Sequence, residues 1–415
     1  MSSIYNTMYR LSVGLWIGDH QYIPINSSDV VSIAIIHQYD TSTYPIMRFR
    51  IYADMELVED INEDPDHISV VCSLDGGIYQ SGDNDETSRI VRTVPSISFT
   101  AKAYLENKNI PVSKMDQYKM GEKDTSDLNV DSKVPFELFV YDDNITHKMR
   151  QKAPSIYRNV AVETVVRDLL RRTGLPDNRM KIDAITNQKR YDQILIPNLT
   201  TIEAFTYFDR YYGLYDHGGM LYYDFISQTL YLGSSASDNQ NVIPIYVRSE
   251  KFNSDEAGII MINNTPRMQA NAMHVSVLSE SDIERVLNPE IIANVNVNTL
   301  AVDKVPLREL FDTYDINTLT NRIEQKNVLH KTDRKNLSTQ EAARLNERIT
   351  HVDLSGAGFP LDCFTPMTRY NLVFESAVRG INLAKAYRPK YVCHVLHNAS
   401  GDLFVTQTTM ELCSN

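Results

Sequence analysis

Cys393, His394 and His397 stand within five residues of one another, and a thiol beside imidazoles is the sharpest candidate here for a nucleophile or a metal site. A nucleophilic cysteine needs its histidine within hydrogen-bond reach in space. The surrounding sequence, KYVCHVLHNAS, alternates as a strand does, so Cys393 and His394 point to opposite faces. Cys393 and His397 share a face but stand about 13 Å apart at strand rise, too far for one metal ion. The spacing argues against both chemistries.

A second candidate is acidic. The stretch ADMELVEDINEDPDH, Ala53 to His67, puts Asp60, Asn62, Asp64 and Asp66 at the alternating oxygen positions of a calcium loop. Pro65 takes the place of the turn glycine and Val71 that of the bidentate glutamate, so an EF-hand does not fit. A solvated acidic loop is expected, with a channel-facing or cation-binding role as the alternative. The chain contains no G-x-x-x-x-G-K-[ST], no H-E-x-x-H and no G-x-S-x-G. Its Asp and Glu pairs are too numerous to nominate a glycosidase acid and nucleophile. No catalytic, cofactor-binding or metal residue is nominated, and no cofactor is expected.

Composition narrows the class. A chain of 415 residues should hold two to four domains. Hydrophobic residues make up 42% and charged residues 23%, as in globular proteins generally. The formal net charge of -12 argues against a nucleic-acid binder, whose affinity rests on cations against phosphate. A like-charged wall still lets DNA pass without sticking. Cys72, Cys363, Cys393 and Cys413 are too widely spaced for a zinc ribbon or a CxxC pair, and are expected to be reduced, mostly buried thiols in a protein made in a cytoplasm. The N-terminal MSSIYNTMYRLSVGLWIGDH lacks the pattern of a signal peptide, and no 18-residue apolar run occurs.

Three regions must position whatever the chain does. Residues 1–145 are β-rich: in YPIMRFRIYA, Met47, Phe49 and Ile51 alternate with Arg48 and Arg50, and ISFTAKAYLE repeats the device. VVSIAIIHQY, HISVVCSL and VPFELFVYDD supply further strands, and Glu106 to Lys133 is expected to be a long exposed loop. Residues 146–235 read as a mixed α/β unit. Asn159 is expected to cap a helix with Val162, Val165, Val166, Leu169 and Leu170 on one stripe, ended by Gly174 and Pro176. Residues 236–415 return to strands (NVIPIYVR, ANAMHVSVLS, TRYNLVFES and a final pair around a turn at Asn398 to Asp402) with a charged, helical insertion at about 305–350.

Seven tyrosines and three phenylalanines crowd Pro197 to Ser235. Thr200 and Glu203 fit a capping box, and Ile202, Phe205, Phe208 and Tyr212 follow at helical spacing before Gly213. A hairpin is expected from Leu214-Tyr215 through His217-Gly218-Gly219 to Met220–Phe225, then a strand at Thr229 to Leu232. The aromatics are expected to be the core of this unit.

YRNVAVETVVRDLLRRTGLP followed by ILIPNLTTIEAFTYFDRYYGLYDHGGMLYYDFISQTLYLGS resembles the middle segment of baseplate hub proteins of contractile-tailed phages and of the related type VI secretion spike hubs. The shared pattern is Ile196-Pro197, Thr200, Glu203, Phe205, Gly213, Leu214 and Tyr215. The resemblance implies two tail-tube-like β-barrels flanking or enclosing an α/β unit. It also implies a homotrimer whose six barrels form a ring that adapts a sixfold tail tube to a threefold central spike, with a channel for DNA. Its partners would be the tail tube protein, the spike protein and other baseplate proteins, and its location the virion. The sequence ends after its last strand pair, so a separate spike polypeptide and no lytic domain are expected. The competing readings are a receptor- or glycan-binding tail protein and a peptidoglycan hydrolase.

Overall fold

The computed structural model describes residues 5–18, 21–39, 42–80, 89–105, 133–215, 219–234, 242–248, 259–262, 265–279, 294–296, 301–303, 348–374 and 386–414. Strands dominate. β1 (Tyr5–Ile17), β2 (Gln21–Ile25), β3 (Val30–Gln38), β4 (Ile46–Ala53), β5 (Ile68–Gln80), β6 (Arg89–Thr93), β7 (Ile97–Leu105) and β8 (Val134–Tyr141) come first. In β4, Met47, Phe49 and Ile51 are buried while Arg50 is exposed, as period-two patterning requires.

These strands do not close on themselves. The last two, β21 (Tyr387–Ser400) and β22 (Leu403–Ser414), complete a ring of eight in the order β1-β5-β7-β8-β4-β3-β21-β22 and back to β1, antiparallel throughout. β2 and β6 pair on its rim, with β1 and β5.

The same hairpin belongs to a second ring. β14 (Val242–Arg248), β16 (Thr265–Ser279), β19 (Arg348–Ala357) and β20 (Arg369–Phe374) join it in the order β22-β19-β16-β14-β20-β21. β14 runs parallel to both its neighbours. The hairpin serves both rings because it is long. β22 pairs with β1 through Leu403–Val405 and with β19 through Gln407–Cys413 on the same edge. β21 likewise pairs with β3 from Tyr391 to His397 and with β20 at Tyr387. β15 (Ile259–Ile262) pairs with β16 and meets β1 at Tyr5, while β17 (Asn294–Asn296) and β18 (Ala301–Asp303) form a separate ribbon.

Between β8 and β14 lies an α/β unit. It contains β9 (Ser155–Ala161), β10 (Met180–Ile182), β11 (Arg190–Ile196), β12 (Gly219–Asp224) and β13 (Thr229–Ser234). The α-helices among the described residues are α1 (Met55–Glu63), α2 (Asp143–Arg150), α3 (Val162–Arg171) and α4 (Thr201–Tyr211). α3 buries the expected stripe, Val162, Val165, Val166, Leu169 and Leu170, and Gly174 follows it at φ +77. α4 carries the expected capping box: the Glu203 amide donates to Thr200 Oγ1 at 3.2 Å, and the Thr200 amide to Glu203 Oε2 at 2.8 Å. No helix among the described residues is long and apolar enough to cross a membrane.

Three expectations change, and two lie wholly or largely outside the described residues. The acidic stretch is helix α1, not a loop: Asp54 Oδ1 accepts from the Leu57 amide at 2.9 Å, and Leu57, Val58 and Ile61 are buried on one side. On a helix, residues two apart do not face each other, so the alternating oxygens of a calcium loop are not brought together. Asn159 does not cap α3. It sits in β9 at φ +47, where its side-chain and backbone oxygens accept from Arg190, and α3 starts after Ala161 without a side-chain cap. The hairpin is β12 with β13 through Phe225–Gln228, because Leu214 and Tyr215 form no strand. The expected helical insertion at about 305–350 lies outside the described residues up to 347, and its last part, Arg348 to Thr350, opens strand β19. The expected loop at 106–132 also lies outside them.

Candidate functional site

A cluster of hydrogen-bonding groups is buried at the junction of the two rings and the α/β unit. Alternation along β12 creates it. Leu221 and Tyr223 point into a core shared by the first ring and helices α1, α2, α3 and α4, whereas Tyr222 points into the core of the second ring. Tyr231, directly opposite on β13, follows Tyr222. The sheet β10-β13-β12 is therefore a wall with one hydrophobic core on each side.

On the second-ring side, Tyr222 meets His37 of β3 and Tyr39 just after it, and His37 in turn faces His394 of β21. The Tyr222 hydroxyl is hydrogen-bonded to His37 Nδ1 at 2.8 Å, and the Tyr222 ring packs edge-on against Tyr39 at 4.8 Å between centroids. Tyr39 donates its hydroxyl proton to the Phe364 carbonyl. His37 faces His394 at 6.1 Å between rings, and His394 Nδ1 bonds Thr408 Oγ1 at 2.8 Å. Burial pushes both imidazoles below their usual range, His394 to about 3, and the neighbouring His37 adds to that shift. Burial also pushes the Tyr39, Tyr222 and Tyr370 hydroxyls well up. These are neutral donors and acceptors locked in a dry interior, suited to fixing register rather than moving protons.

The segment after β19 ties the same junction to β1. The Thr7 amide donates to Gly358 O at 3.0 Å, the Gly358 amide to Thr406 O at 2.6 Å, and the Leu361 amide to the Tyr9 hydroxyl at 2.8 Å. Gly358 has φ +67, and a Cβ there would meet Asn6 at 2.8 Å, so only glycine fits.

The residues considered for chemistry are not brought together. His394 is buried while Cys393 is half-buried and His397 exposed, each on the face that strand parity dictates. Burial raises the Cys393 thiol. Asp64 accepts from, or pairs with, His67 Nδ1 at 2.6 Å at the end of α1. The described residues contain no group of three His, Cys, Asp or Glu placed for a metal ion. The His37–Tyr222–His394 cluster was missed from sequence, because its members lie on strands far apart in the chain; their shared inward parity was the only signal.

The pattern of the family described as Bacteriophage PBS1 gene 109 protein matches residues 1–377. No curated protein matches the chain. Among solved structures, the tail protein from Neisseria meningitidis MC58 is similar at 12% identity and a TM-score of 0.45, over 98% of this chain and 97% of that one. The prophage MuSo2 43 kDa tail protein from Shewanella oneidensis is similar at 8% identity and a TM-score of 0.40, over 96% of each chain. The E. coli c3393 protein, described as a component of the type VI secretion system, is similar at 9% identity and a TM-score of 0.39, over 95% of this chain and 76% of that one. The chain belongs to the Bacteriophage PBS1 gene 109 protein family.

Proposed function

From membership in that phage family, we propose that the chain is a structural hub of the tail baseplate. Three copies would form a closed ring. Each copy contributes two strand rings, six in all, which is the number needed to meet a sixfold tail tube while the assembly keeps threefold symmetry for a central spike. One observation carries this reading: a single hairpin, β21–β22, belongs to both strand rings of the chain. Two tube-like barrels that share strands cannot rotate against each other, which is what an adapter under load needs.

The same reading makes the α/β unit a wedge. Its aromatic sheet fills the space between the two rings from one side, with Tyr223 OH donating to Asp142 at 2.9 Å and Phe225 packed against Phe99 at 5.6 Å. DNA would pass through the assembled channel without specific contacts. The partners would be the tail tube protein, the spike and neighbouring baseplate proteins, and the site of action the virion. The role is non-enzymatic, supported by buried, neutral imidazoles and separated thiols.

A glycan-binding reading has one observation in its favour. Trp16 and Tyr22 are exposed, paired across β1 and β2 with centroids 5.2 Å apart, and exposed aromatic faces can stack on sugars. Gold-labelled antibody against the chain, imaged on intact particles, separates the two. A hub gives label at the tube–spike junction; a receptor binder gives label on peripheral fibres.

A further inference from the structure

We propose that the ribbon β9–β11 is a contact between copies of this chain and docks on the acidic helix α1 of the next copy. The proposal rests on the multi-copy part of the function proposed above.

The ribbon is unusual on this surface. Ile156 and Leu195 are 62% and 49% exposed, more than any other large hydrophobic residue among the described ones, and they stand directly opposite each other. Their strand neighbours Ile194 and Ile196 face inward and are buried, so the exposed pair belongs to the outer face. Arg158 and Gln193 form the next cross-strand pair on that face.

Charge says what covers it. Residues 148–192 hold eleven Lys and Arg against five Asp and Glu, a net of +6 in a chain of -12, which leaves -18 for the rest. Arg158 and Arg190 lie on the ribbon and are exposed, and Arg172, exposed at the end of α3, reaches the Tyr157 hydroxyl of β9 at 2.9 Å. An apolar centre with a cationic rim suits an acidic protein surface better than a phosphate backbone, which offers Ile156 and Leu195 nothing.

This chain carries such a surface. Asp54 to Asp66 holds seven carboxylates and no Lys or Arg. Helix α1 buries Leu57, Val58 and Ile61 and exposes Glu56, Glu59 and Glu63 in a row at i, i+3 and i+7. Like charges so spaced repel one another, and a cationic partner removes that cost. Within the described residues no ion pair joins this row to the ribbon or to any other cation. Two different, complementary patches on one chain give a head-to-tail contact, the kind that closes into rings. The helix is thereby assigned to a seam between copies rather than to the DNA channel.

The test uses the full chain, alone and with its cognate spike, sized by light scattering at low and high salt. Three variants are compared: Arg158→Glu with Arg190→Glu, Glu56→Arg with Glu59→Arg, and all four together. Each reversed pair should weaken association at least tenfold, and the fourfold variant should regain most of it. All four positions are exposed, so unchanged melting curves verify folding. A wild-type trimer that survives ribbon reversal overturns this contact and leaves the hub reading standing. Loss without rescue overturns α1 as the opposing face. Retention of duplex DNA by wild type but not by the reversed ribbon overturns a protein contact in favour of nucleic acid. A wild-type chain that stays single even with the spike overturns the hub reading and this contact together.

Discussion

Tyr222 and Tyr223 are neighbours in the chain whose rings lie in two different hydrophobic cores. Tyr223 reaches Asp142 on the first-ring side, and Tyr222 reaches His37 on the other. A single strand thus adds a second tie between two cores that the β21–β22 hairpin already joins. The aromatic richness of the segment follows: the sheet has no solvent face along Leu221–Tyr223 or Leu230–Leu232, so both parities must be apolar and large.

Truncating this wall should be expensive. Tyr222→Ala should cost about 3–5 kcal/mol by analogy with buried aromatic truncations. Tyr222→Phe should cost only about 1 kcal/mol, the worth of the lost bond to His37. Urea unfolding of both variants checks this. A Tyr222→Ala loss below that of Tyr222→Phe would contradict the two-core arrangement.

Acid should weaken the fold through the buried imidazoles. His394 titrates near pH 3 when folded, against 6.5 when free. As pH falls below about 6.5 the unfolded chain takes up a proton that the folded chain refuses, so stability is lost over the window from there down to about pH 3. The slope should approach about 1.4 kcal/mol per pH unit for this histidine, with His37 adding in the same direction. His394→Leu should flatten the curve by that amount in chemical denaturation at stepped pH. An unchanged slope would place the pH dependence elsewhere.

Thr200→Ala should destabilise the α/β unit by about 1 kcal/mol through loss of the α4 cap. Hydrogen exchange of the first-turn amides of α4, Glu203 above all, is the direct readout. Equal protection in both proteins would mean that tertiary packing, not the cap, holds the helix start.

Gly358→Ala should destabilise by about 1–3 kcal/mol, because φ +67 is strained for any side chain and the new Cβ would press on Asn6. Thermal melting measures it. Gly401→Ala, at φ +59 with open space around it, is the control for backbone strain alone and should cost less.

Helices α3 and α4 were legible because their evidence is local: a stripe and a terminating glycine for both, and for α4 also its cap, whereas the cap expected for α3 at Asn159 was not formed. Strand parity was legible for the same reason, down to the opposite faces of Cys393 and His394. Helix α1 was not, because its carboxylates masked the spacing of Leu57, Val58 and Ile61, although Asp54 stood ready as a cap. The closure of the first ring was beyond local reading. It depends on Tyr9 pairing with Phe404, near opposite ends of the chain, and no periodicity reports which strands become neighbours. The buried junction suffered the same fate, since His37, Tyr222 and His394 meet only once both rings have closed.

The hub reading turns on copy number. Purified with its cognate spike, the chain should be present in three copies, contributing about 142 kDa, three times 47.4 kDa, to the mass of the complex measured by light scattering. One, two or six copies per complex would contradict it.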